Sequence, residues 1–143
     1  MAKDPQINLG RFHFRPASIV FDGRPPLAEW KGPLEFALWC QRASPWWIGD
    51  MINAGEDIFG EEFAAVWGET LSTEMVSRYA SVARRVPARN RRSKLSWSAH
   101  AAVARLEGHL QRRMLALAER EGWNSSDLQL KVRELVSDQA KKA

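Results

Sequence analysis

Cysteine is nearly missing: Cys40 stands alone, so no disulfide can close within the chain and a reducing compartment fits best. No run of eighteen apolar residues occurs, which excludes a helical membrane span. MAKDPQINLG at the start lacks the apolar core of a signal peptide. A cytoplasmic protein with no membrane partner is expected. Metal chemistry is absent too. His100 and His109 are nine apart, on opposite sides of a helix turning about 100° per residue. Neither HExxH nor CxxC is present, and GDMINAGEDIFGEE lacks the spacing of a calcium loop. GxxxxGK[ST] and GxGxxG are missing, so no nucleotide cradle is written. Neither an enzyme, a metal nor a cofactor is expected.

What remains is a chain of 143 residues, 45% apolar and 27% charged, long enough for one domain with a core. Seven tryptophans supply large anchors for packing or interfaces. Net charge is only +4, but it is polarised. Between Ala43 and Ser77 stand seven acids and no Lys or Arg; between Arg78 and Arg113 stand ten cations and one acid, Glu107. Either a basic face awaits an anionic partner, or the two segments neutralise one another in the fold.

Periodicity and punctuation predict a mainly α protein. The expectation is a compact multi-helix bundle containing a helix-turn-helix, preceded by a short β-hairpin or extended arm. Residues 1–10 read as a flexible tail and 11–26 as the arm, where FHF alternates and SIVF is rich in strand formers. The helical domain is expected over 27–137, with 138–143 frayed. PLEFALWCQRA is apolar almost all round and predicts a central buried helix. Ser44-Pro45 predicts the start of a second helix, over 45–59, with Ile48, Met51, Ile52 and Phe59 on one stripe and Gly60 as its stop. Glu61 to Trp67 reads as a short helix and GETL as a turn. Ser72 then caps a helix running from Thr73 to Val86 and stopped by Pro87. Its inner stripe is Met75, Val76, Tyr79, Val82, Ala83 and Val86. Ser96 or Ser98 opens the next helix, expected to reach Gly108. Another follows to Glu121, with Gly122 as its stop, and Asn124, Ser125 and Asp127 open the last.

EEFAAVWGETLSTEMVSRYASVARRVP has the plan of a helix-turn-helix, whose second helix would offer its N-terminal residues to base edges. Ser72, Thr73, Ser77, Arg78 and Ser81 are the candidate readers; Arg78 suits guanine O6 and N7. Glu74 either accepts from cytosine N4 or caps its own helix, the cap being favoured. Arg84, Arg85, Arg89, Arg91, Arg92 and Lys94 follow directly and are candidate phosphate contacts, which set register without reading sequence. The expected partner is double-stranded DNA, bound by a homodimer. The motif spacing is irregular: Ala64 and Gly68 fit the usual alanine and glycine positions, but Val76 comes eight after Gly68. A shifted register with Thr70 at the glycine position restores Val76 and puts Val66 where alanine is usual. The alternative function is a protein–protein adaptor whose acidic 43–77 segment is the working face. Binding of single-stranded nucleic acid is a third reading, with only Trp97 near the basic run as a stacking platform.

SPWWIGDMINAGEDIFGEEFAAVW, LSTEMVSRYASVARRVP, KLSWSAHAAVARLEG and LALAEREGWNSSDLQLKVREL together resemble the LmbU-like DNA-binding regulators over residues 27–136. Those carry a WWxGD segment, a YAxVARR helix, an LSxSHH-type helix start and a closing GW-x-x-x-x-L run. The later half also resembles the helix-turn-helix domain of the ParB and KorB partition proteins. The resemblance implies a transcriptional regulator or a partition-like adaptor. It maps Ser72 to Arg85 onto the recognition helix, Leu95, Ser96, Ser98 and His100 onto the LSxSHH element, and Trp123 and Leu128 onto the closing run. The chain departs at Ala99, where a first histidine is usual, and at Leu128-Gln129-Leu130, where a Leu-Arg pair often stands. His100 is expected to satisfy a local hydrogen bond rather than hold a ligand. WWIGD is expected to be a packing signature, with Trp46, Trp47 and Ile48 wedged against later helices.

Overall fold

A computed structural model describes residues 5–142 of the chain. Two compact units emerge, residues up to Gln41 and residues from Arg42 onward. The protein is mainly α-helical, with a small antiparallel sheet near its N-terminus.

Alternation builds the first unit. Strands β1 (Ile7–Leu9), β2 (Phe12–Arg15) and β3 (Ser18–Phe21) lie side by side in that order. Phe12 pairs with Phe21 and Phe14 with Ile19, so the period of two puts Phe12 and Phe14 on one face. Phe12 is buried, and its ring meets Phe21 and Trp30 edge-on at centroid distances of 5.4 and 5.1 Å. Trp30 follows a single 3-10 turn, Leu27–Glu29, and its Nε1 donates to the Pro25 carbonyl at 3.0 Å. A strand therefore lies where a tail was expected to run to residue 10. Gly10, at φ 57°, makes the tight return from β1 into β2 that other residues resist. The tail expected over residues 1–4 lies outside the described residues.

Helix α1 (Lys31–Phe59) is one helix where two were expected, with Pro45 inside it. A proline there removes one backbone bond, to the carbonyl of Gln41. Gln41 is exposed, so water replaces that partner at little cost. The central burial expected of 33–43 is not found: none of its residues is buried, and Leu34, Leu38 and Trp39 are more than half exposed. Within α1 only Gly49, Ile52 and Gly55 are buried. Met51 and Phe59 are exposed, so the stripe expected with Ile52 is only partly inward. Gly60, at φ 60°, ends the helix.

The second unit holds the aliphatic core. Helices α4 (Trp97–Val103), α5 (Gly108–Glu121) and α6 (Ser125–Lys142) pack Ala99, Val103, Met114, Leu115, Ala118, Leu128 and Val132 together with Leu106 of the α4–α5 connection. Ser96 caps α4, its Oγ accepting from the Ala99 N–H at 3.1 Å. That helix stops at Val103 rather than reaching Gly108. Gly122, at φ 71°, ends α5. Asn124 and Asp127 cap α6 reciprocally, each side chain accepting from the other's backbone N–H at 2.8 and 3.1 Å. The helix runs to Lys142, through the stretch expected to fray from residue 138. Among the described residues no helix is long and apolar enough to cross a membrane.

Candidate functional site

Helix α2 (Glu61–Trp67), the turn 68–72 and a helix over 73–85 form the segment in question. The turn closes with Thr70 and Leu71 N–H groups on the Trp67 carbonyl, at 3.0 and 3.1 Å. Two glycines of α1 let both helices approach it. A Cβ on Gly55 would fall 2.2 Å from the Phe63 ring of α2, and one on Gly49 would fall 2.3 Å from the Tyr79 carbonyl. Asn53 donates to the Ala80 carbonyl at 2.9 Å across the same contact.

The 73–85 helix departs from its expected phase. Met75–Ala80 is a π-helical turn, followed by α3 (Ser81–Arg85). The wider turn carries one more residue than an α turn, so it rotates what lies before it relative to what lies after. Val76, expected inside, is 39% exposed, while Ala80 is buried with Val82, Ala83 and Val86. The opposite face remains open. Ser72, Thr73, Ser77, Arg78, Arg84 and Arg85 are exposed, and Ser81 is half-buried. The Ser72 Oγ accepts from the Met75 N–H at 3.1 Å, capping the helix. Glu74 neither caps nor stands free: its carboxylate meets Arg78 at 3.3 Å. The Arg78 guanidinium also lies over the Trp97 ring, 5.1 Å from its centroid. Trp97 is half-buried and meets Tyr79 edge-on at 5.3 Å, so the stacking platform imagined for single strands is already covered.

The basic stretch after this helix splits in two. Arg91 turns inward. Its guanidinium takes both oxygens of Asp50 at 2.8 and 2.9 Å, donates to the Val86 and Ala83 carbonyls at 2.9 Å each, and lies 4.0 Å from the Trp46 ring centroid. Trp46 in turn meets His100 edge-on at 5.1 Å. His100 is buried, its Nδ1 hydrogen-bonded to the Ser96 carbonyl at 2.7 Å and its Nε2 receiving the Arg92 N–H at 2.9 Å. These partners require a neutral ring protonated on Nδ1. Burial lowers its pKa below the ordinary 6.5; the Ser96 bond works the other way and the Arg91 charge adds to the lowering. Arg92 pairs with Glu119. Asn90 is buried, donating to the Gln111 Oε1 at 2.9 Å, and the Gln111 amide donates to the Arg85 carbonyl at 2.9 Å. Arg91, Arg92, Asn90 and His100 together fix the loop to α1, α4 and α5.

Arg85, Arg89 and Lys94 are exposed and form no ion pair with a described residue. Arg84 pairs with Asp57 at 3.2 Å, both side chains more than half exposed. Neutralisation between the acidic and basic segments is therefore partial. Asp50, Asp57 and Glu74 answer Arg91, Arg84 and Arg78, while Glu56, Glu61, Glu62 and Glu69 have no basic partner among the described residues. The WWIGD segment packs only in part, with Trp46 and Ile48 half-buried and Trp47 43% exposed, and its acid matters as much as its rings. Trp46 and Asp50, one helical turn apart, grip one arginine from two sides.

No family model and no solved structure matches the chain. The transcriptional regulator NovE of Streptomyces niveus is 32% identical over 96 residues. That stretch covers 66% of this chain and 44% of NovE, so the chain spans less than half the length of this relative. The chain is thus a distant, partial relative of a transcriptional regulator.

Proposed function

We propose that the protein regulates transcription by binding double-stranded DNA through a helix-turn-helix formed by α2 and the 73–85 helix. Groove readout falls to Ser72, Thr73, Ser77, Arg78 and Ser81, where hydroxyls and a guanidinium suit base edges. Phosphate contacts fall to Arg84, Arg85, Arg89 and Lys94, with Arg91 and Arg92 holding the loop that presents them. The observation that carries the reading is an outward face of hydroxyl and cationic side chains on a helix whose other side is buried from Ala80 onward and half-buried at Met75 and Tyr79. The likeness to a named regulator supports it. Two copies on paired half-sites are part of the reading, as this docking geometry commonly uses them.

The test is an electrophoretic mobility shift on random duplex at two salt concentrations, with Arg84→Ala/Arg85→Ala beside the parent. Salt-sensitive binding, weakened in the double variant, is expected. No shift by the parent at low salt contradicts the reading. Duplexes selected from a random library should share a motif, and a palindrome in it would fix the stoichiometry at two.

A further inference from the structure

A second cationic feature lies beside that face. Ser81 and Arg85 on α3, Arg105 just after α4, and Gln129 and Arg133 on α6 line a cleft of about 350 Å³. Its remaining lining is small and apolar, mostly alanine, and contains no acid. Ser81 with Arg85, and Gln129 with Arg133, are each one helical turn apart, so two walls each carry a neutral polar residue and an arginine. Arg85, Arg105 and Arg133 are exposed, and none forms an ion pair or a side-chain hydrogen bond with a described residue. Arg105 follows a helix C-terminus, where a cation often caps the last carbonyls. It makes no such bond.

Three arginines with no acid among the lining make this alanine-lined space electropositive, which favours an anion there. Their planar donor forks match the oxygens of a phosphate, and the Ser81 hydroxyl and Gln129 amide add neutral donors. Ser81 and Arg85 stand one turn apart on α3, directly after the π turn, so the cleft adjoins the face assigned to DNA. We infer that this cleft seats one phosphate, gripped by Arg85, Arg105 and Arg133, and that this phosphate belongs to the backbone of the bound duplex. The second half of the inference rests on the DNA-binding reading; the first half does not.

The test compares the parent with Arg105→Gln/Arg133→Gln and with the charge-keeping Arg105→Lys/Arg133→Lys. Both positions are exposed, so unchanged circular dichroism and melting temperature in chloride are expected. Two readouts are taken: the slope of log K against log salt on duplex, and the rise in melting temperature when inorganic phosphate replaces chloride at matched ionic strength. The inference expects the glutamine variant to lose about 0.9 of the slope, one phosphate's worth, with the lysine variant close to the parent. It also expects phosphate to protect the parent and not the glutamine variant. If the parent binds no duplex but its phosphate protection is still lost in the glutamine variant, the phosphate site stands and its ligand is a free phosphate compound. The DNA reading alone then falls. If parent and glutamine variant share both the slope and the phosphate response, the cleft is no phosphate site, whatever the parent does with DNA.

Discussion

Arg89 and Arg91 stand two residues apart in one basic stretch and live in opposite surroundings. Arg91 is 16% exposed at its side chain and holds a carboxylate, two carbonyls and a tryptophan face. Arg89 is exposed and holds none of these. A run of cations is therefore not one feature. One part of it, with His100 and Asn90, is internal framework; another part is surface charge left for solvent or a partner. The framework residues decide stability, and the surface residues decide what an anion meets.

Substitutions should separate the two parts. Arg91→Ala removes charge-assisted bonds to Asp50 and strips two carbonyls of their donor. The expected loss is about 2–3 kcal/mol, read as a lower urea midpoint. Gly49→Ala tests whether the framework also positions the outer face. Its methyl would press on the Tyr79 carbonyl, so about 2 kcal/mol should be lost and the 73–85 helix displaced. Duplex affinity should then fall along with the melting temperature. A melting temperature unchanged in Gly49→Ala would mean that the helices are not in close contact there.

The buried histidine gives the framework a pH dependence with a definite sign. His100 stays neutral in the fold because burial lowers its pKa, while the unfolded chain binds a proton near 6.5. Its contribution is complete above that value and declines as pH falls below it, by at most about 1.4 kcal/mol per pH unit, until the folded form also takes a proton. Urea midpoints from pH 7.5 downward, compared with those of His100→Gln, would read this out, and equal slopes would contradict it. The smallest effect belongs to the outer part: Arg89→Ala should leave stability within about 0.5 kcal/mol of the parent. A large loss there would erase the distinction.

Local chemistry was legible and distant chemistry was not. Ser72, Gly60, Gly122 and the Asn124–Asp127 pair mark helix ends in the sequence because a cap or a left-handed turn is decided within a few residues. The three-stranded sheet was only partly legible, since β1 acquires its character by pairing with β2. The long α1 defeated the sequence because Pro45 looks like a start and is tolerated inside. Its all-round apolar first part also carries no phase to show which side is covered. Val76, expected inside, is exposed because a π turn resets the helical phase without a residue type that announces it. At the site, the outward hydroxyls and Arg78 were readable from spacing alone. The inward turn of Arg91 was not, because Asp50 lies 41 residues away. Nor were Arg105 and Arg133, which share a cleft with Arg85 only after three helices have packed.

The central claim is that the outer cations meet phosphates while the inner ones hold the loop. Its most direct test is the slope of log K against log salt for duplex binding by Arg85→Gln/Arg89→Gln/Lys94→Gln, with urea stability measured alongside. The account predicts a slope shallower by about 1.8 to 2.7, roughly 0.9 for each lost contact, with Arg85 sharing its phosphate with Arg105 and Arg133, at unchanged stability. A slope equal to the parent's, in a fully folded variant, would contradict it.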